Sequence, residues 1–136
     1  MKNKWAIIAA GLIIVAVAVL VIMMMSKDSK PAAYEIKDDE LVITCSFGVS
    51  VPLDQITSLE LTEDAPQIAT KTNGAGIGSM HKGEYQLQDG SKARLYIDDE
   101  MPPFIRFIQG DTVFYLNSDS QEATQALFDT LSDAVG

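Results

Sequence analysis

The sequence predicts an α+β domain behind an apolar N-terminal segment. Three observations carry that class. Residues 5–25 contain no charged side chain. Between 34 and 116 the apolar residues recur mostly with a period of two, the mark of half-buried strands. From 117 to 135 the period changes, with Ala123, Leu127, Leu131 and Val135 forming one apolar stripe at helical spacing.

The apolar segment comes first. Eleven of its 21 residues are Ile, Leu or Val. A helix of that length is roughly 31 Å long, matching a hydrocarbon core of about 30 Å. It ends Met23-Met24-Met25-Ser26-Lys27 with no small-residue cleavage site, so the expectation is a retained transmembrane helix rather than a cleaved signal. Residues 1–4 are then a short basic N-terminus, 5–25 the single-pass membrane helix, 26–33 a polar linker and 34–136 the folded domain. Lys2 and Lys4 precede the helix, while Lys27, Lys30 and Lys37 follow it. The close grouping of Lys2, Lys4 and the terminal amine favours the N-terminus inside and the domain outside the cell membrane.

In the domain, Tyr34 and Ile36 alternate with polar residues, Asp38-Asp39-Glu40 turns the chain, and Leu41, Ile43 and Cys45 continue on one face. That reads as a hairpin. Val49 and Val51 follow in phase until Pro52, which cannot donate into a ladder. Residues 53–56 read as one helical turn and 57–61 as a strand. Residues 62–69 read as a loop and 69–73 as a short strand. Gly74-Ala75-Gly76-Ile77-Gly78 reads as a mobile loop, because three glycines in five residues carry high backbone entropy. Residues 84–87 and 93–97 flank Gln88-Asp89-Gly90-Ser91, whose Asp-Gly is a strong hairpin signal. A second hairpin joins 104–108 to 112–116 through Gln109-Gly110-Asp111. Ser118 as N-cap, with Gln121 completing a capping box, opens the final helix.

Charge excludes one class of partner. Residues 31–136 hold six Lys and Arg against eighteen Asp and Glu, a net charge of −12. Nucleic acid requires clustered basic residues, so it is not an expected ligand. Phosphoinositide binding is not expected either, because the six cations are spread over the chain. The single cysteine allows no internal disulfide and no Cys-rich metal site; Cys45, in phase with Leu41 and Ile43, reads as a small core residue.

The motifs that resemble catalytic ones fail on spacing. Gly74, Gly76 and Gly78 lack the spacing and the βαβ setting of a dinucleotide fingerprint. His81 is the single histidine, with no partner set for zinc or for nucleophilic catalysis nearby in sequence. The runs Asp38-Asp39-Glu40 and Asp98-Asp99-Glu100 read as solvated turns rather than calcium loops. No cofactor is implied, and the reading is non-enzymatic.

A family resemblance adds to this. Tyr34-Glu35-Ile36, Val51-Pro52-Leu53-Asp54-Gln55-Ile56, Leu59-Glu60-Leu61, Lys71-Thr72-Asn73-Gly74, Gly83-Glu84-Tyr85-Gln86-Leu87 and Ala93-Arg94-Leu95-Tyr96 follow in order, and Asn117 leads into a helix with Thr124. That order resembles the bacterial pleckstrin-homology-like (PH-like) domains often found behind one or two membrane helices. The resemblance covers about residues 34–134. It implies a bent seven-stranded antiparallel sheet or barrel capped by the C-terminal helix, and a binding or scaffold module without catalytic residues. Where the family pattern tends to carry Arg, this chain has Lys71.

The resulting expectation is a membrane-anchored module that binds a protein partner. Its candidate binding residues are Lys71, Asn73, Gly74, His81 and Lys82 on the glycine loop, and Arg94 and Tyr96 on a sheet face. A second reading is a membrane-surface sensor touching anionic head groups through Lys27 and Lys30.

Overall fold

A computed structural model of the chain describes Lys4, Ile7, Ile8 and residues 31–135. Nine strands and one long helix follow in order among them. The strands are β1 (Ala33–Lys37), β2 (Glu40–Thr44), β3 (Ser50–Pro52), β4 (Thr57–Thr62), β5 (Ile68–Ile77), β6 (Met80–Leu87), β7 (Lys92–Asp98), β8 (Phe104–Gln109) and β9 (Thr112–Leu116). A single 3₁₀ turn, Leu53–Gln55, follows β3, and helix α1 is Gln121–Val135.

The strands form two sheets. One has the order β1-β2-β3; the other has the order β4-β8-β9-β7-β6-β5. In the larger sheet β7 and β9 run parallel, with Tyr96 opposite Leu116. The cause is an insertion: the β8–β9 hairpin returns so that β9 lies between β8 and β7. This corrects the expected seven-stranded antiparallel PH-like sheet. The count is nine among the described residues, in two sheets, and the larger sheet is mixed.

The larger sheet curls without closing. Its two edge strands, β4 and β5, are consecutive in the chain and joined by residues 63–67. Six residue steps reach at most about 20–22 Å. A flat six-stranded sheet would separate its edges by about 24 Å. The sheet must therefore bend for the connection to span it, yet β4 and β5 do not pair.

Strand alternation gives this sheet two buried faces. On one face Tyr96, Phe114, Leu116, Ile105 and Phe107 meet Leu41, Ile43 and Val51 of the smaller sheet and Leu131 of α1. Phe107 stacks on Phe114 with ring centroids 4.6 Å apart, within the favourable range for offset aromatic pairs. Cys45 packs partly buried against this cluster. On the other face Leu87, Ala93, Leu95, Ile97 and Phe104 form a second cluster with Tyr85.

The final helix begins later than its sequence signal. Ser120 Oγ accepts from the Ala123 N–H, and the Ser120 carbonyl accepts from the Thr124 N–H, so Ser120 is the cap. Ser118 instead donates its backbone N–H to Thr124 Oγ1, which explains why Thr124 is buried on the helix face.

The expectation of a membrane-spanning helix is corrected as well. No helix among the described residues is long and apolar enough to cross a membrane. The long helix that is present, α1, has 15 residues, so it extends about 22 Å against a hydrocarbon core of about 30 Å. The stretch 5–25 lies outside the described residues apart from Ile7 and Ile8, and so does most of the linker 26–33. The single-pass membrane placement and the extracytoplasmic lean lose their support.

Candidate functional site

The glycine stretch is not a loop. β5 continues through it in register with β6: Asn73 opposite Glu84, Gly74 opposite Gly83, Ala75 opposite Lys82, Gly76 opposite His81 and Ile77 opposite Met80. The chain reverses at Gly78, whose φ of 58° suits a residue without Cβ. Gly74 and Gly83 permit the pairing sterically. A Cβ on Gly74 would lie 2.4 Å from the Lys82 carbonyl oxygen, and one on Gly83 would lie 2.5 Å from that of Asn73. What reads as entropy in the sequence is close backbone approach in the fold.

This hairpin separates the residues grouped by sequence. Neighbours in a strand point to opposite faces, so His81 and Lys82 cannot serve one site. His81 Nε2 lies 2.8 Å from Asp99 Oδ2, and its ring meets the Tyr85 ring edge to face at 5.6 Å. The pair fastens the hairpin end to the segment after β7, where the Asp99 N–H also donates to the Ser79 carbonyl. Lys82 is 1% exposed, opposite Tyr96 in the sheet. Its side chain is buried in the structure. Lys71 and Asn73 stay exposed on β5.

Arg94 and Tyr96 do share a face, on which Tyr96 is buried and Arg94 is half-buried. The Tyr96 ring is in the core and its hydroxyl donates to the Phe47 carbonyl at 2.7 Å. Burial pushes that hydroxyl above the usual phenol range, and the Arg94 guanidinium opposes the shift. Arg94 donates to Glu84 Oε1 at 2.6 Å and reaches the Tyr96 hydroxyl at 3.4 Å.

The sequence reading missed the groove beside this pair. It has a volume of about 530 Å³ and is lined by side chains that include Thr72, Glu84, Gln86, Lys92, Arg94 and Thr112. The signal was present in the Asp89-Gly90 turn. Once that hairpin register is set, Glu84 must face Arg94 and Gln86 must face Lys92. Thr112 joins through the parallel β7–β9 pair, which no local pattern announces.

The acidic runs resolve into turns. Asp38 and Asp39 both hold positive φ between β1 and β2. Asp98 Oδ1 accepts from the Glu100 N–H, while Asp99 meets His81. Among the described residues no three His, Cys, Asp or Glu side chains converge as metal ligands.

β5 is open on its other side. Among the described residues it pairs with β6 alone, and residues 69–73 and Gly76 are exposed. No family model, no curated protein and no solved structure matches the chain.

Proposed function

We propose that this chain is a non-enzymatic protein-binding module that takes an extended segment of its partner as an added strand on β5. The supporting observation is that, among the described residues, 72–77 pair with β6 alone. An unpaired edge presents rows of N–H and C=O groups that template another strand.

Natural edges are guarded by charge, proline, bulges or shortness. The other edges here carry such guards. β1 has Glu35 and Lys37. β3 has three residues and ends in Pro52. β4 has a register shift between Thr57 and Glu60, with Ser58 at positive φ. The lower half of β5 has two register shifts and Lys71. Residues 72–77 have no charge, pair regularly from Asn73 onward, and include Gly74, Ala75 and Gly76, over which a second backbone can pass closely.

The test places charge on this edge. A Cβ on Gly76 meets nothing closer than 3.6 Å, so the position accepts a side chain. The variant Asn73→Lys with Gly76→Lys melts within a few degrees of the parent chain. It loses the protein recovered by crosslinking to the full chain, and the parent shows slowed amide exchange at 72–77 when that protein is bound. Undiminished recovery by the variant rejects strand addition on β5. Recovery of a second copy of the chain alone reassigns the edge to self-association.

A further inference from the structure

We propose that the groove over β6, β7 and the start of β9 binds a small zwitterion of the amino-acid class, its carboxylate held by Lys92 and Arg94 and its ammonium by Glu84. This site lies on the sheet face, shares Thr72 with the β5 edge, and does not rest on the strand-addition reading.

The groove holds both signs of charge in fixed places. Arg94 is oriented by Glu84 at 2.6 Å and by the Tyr96 hydroxyl at 3.4 Å. Two of the five N–H donors of its guanidinium are thus engaged, and the others have no protein acceptor among the described residues. Glu84 uses Oε1 for Arg94, and its side chain is 43% exposed. Lys92 is 77% exposed and 3.8 Å from the equally exposed Asp111. Such a pair is weak in water, so the ammonium is free to turn toward a ligand.

Ligand charge then decides between classes. A simple anion meets Glu84 at the site and a domain of net charge −12 around it. A simple cation meets Arg94 and Lys92. A zwitterion has no net charge, so the domain's field neither attracts nor repels it, and its two poles match the two signs in the groove. The groove volume of about 530 Å³ falls within the range of small-ligand sites. Thr72, Gln86 and Thr112 supply neutral polar groups for the rest of the molecule. An open polar groove gives weak affinity, in the millimolar range.

The experiment titrates the full chain with L-glutamine, L-alanine, sodium acetate, methylammonium chloride and inorganic phosphate at matched ionic strength. It follows the Arg94 Nε–H and the amides of Glu84, Lys92 and Arg94 by NMR. The expected result is saturable shifts with the two amino acids, and binding at least tenfold weaker for acetate, methylammonium and phosphate. Lys92→Glu, at an exposed position, weakens the amino acids at least tenfold with an unchanged melt. Acetate or phosphate binding as well as the amino acids overturns the proposal in favour of a plain anion site. Absence of saturable shifts at 50 mM amino acid, or shifts indifferent to Lys92→Glu, overturns it outright.

Discussion

Gly74 and Gly76 sit two residues apart on one strand and have different tasks. The carbonyl of Lys82 occupies the place of a Gly74 side chain, whereas a Cβ on Gly76 makes only ordinary contacts, the nearest at 3.6 Å. Gly74→Ala therefore costs about 1–3 kcal/mol through forced backbone displacement. Gly76→Ala is neutral or stabilises by about 0.4–1 kcal/mol, because it restricts the unfolded chain. Urea unfolding of the two variants side by side checks the contrast, and equal effects contradict the close approach. Asn117 is the second residue on which local structure depends. Fully buried, it accepts from the Asp98 N–H and donates to the Asp98 and Met101 carbonyls. It thereby fixes the connection that leads into β8. Asn117→Ala leaves those three backbone groups without partners and costs about 3 kcal/mol, read as a lowered urea midpoint with an unchanged slope.

At the scale of elements, α1 is held by one side chain more than by its whole stripe. Leu131 is fully buried against the main cluster, whereas Leu127, Phe128 and Val135 are partly buried. Leu131→Ala costs about 2–5 kcal/mol, as expected for a complete core truncation. Leu127→Ala costs less because part of that side chain is already in water. Thermal melts of the two single variants test this order, and a larger loss for Leu127→Ala contradicts the packing. The β5–β6 hairpin is an element of another kind. Its lower part packs Tyr85 and Leu87 into the second cluster, whereas its upper part is held by backbone pairing, the two close-packed glycines, the buried Met80 and Lys82 and the His81–Asp99 contact. Asp99→Ala removes that contact and releases the hairpin end, and faster amide exchange at 76–82 with little change in the global melt is the expected outcome.

At the scale of the molecule, Tyr34 joins the two sheets. It stands on β1, and its hydroxyl is shared between the Tyr96 carbonyl at 3.0 Å and the Asn117 carbonyl at 2.9 Å. Burial pushes this phenol far above its ordinary range, and burial raises Tyr85 and Tyr96 also. A raised folded value means that the unfolded chain loses these protons first. The stability tied to them is fully present below about pH 10, the ordinary phenol value, and is lost as pH rises from there toward the folded values. The melt is therefore insensitive to phenol ionisation through pH 9 and falls above about pH 10. Tyr34→Phe costs about 1–2 kcal/mol near neutrality from the lost hydroxyl bonds and makes the alkaline fall shallower. An equally steep fall in Tyr34→Phe assigns the alkaline transition to other groups.

The sequence by itself determined what depends on near neighbours. The β1–β2 hairpin, the stop at Pro52, the turn at Leu53–Gln55, the Asp89-Gly90 and Gly110 hairpins and the amphipathic helix are legible because turn chemistry and side-chain period act over a few residues. Tertiary structure decided the rest. Alternation predicts that β8 and β9 pair, but not that β9 lies beside β7 in parallel; that follows from distant apolar faces finding one another. Glycine composition at 74–78 suggests freedom, yet Gly83 of the facing strand turns that freedom into tight pairing at Gly74. The candidate residues divided in the same way. Lys71 and Asn73 are exposed as their polarity suggests, while Lys82 is buried and Tyr96 joins the main cluster with residues from distant strands. Burial is a property of the surroundings, and those of Tyr96 include Phe47 and Tyr34, 49 and 62 residues away in the chain.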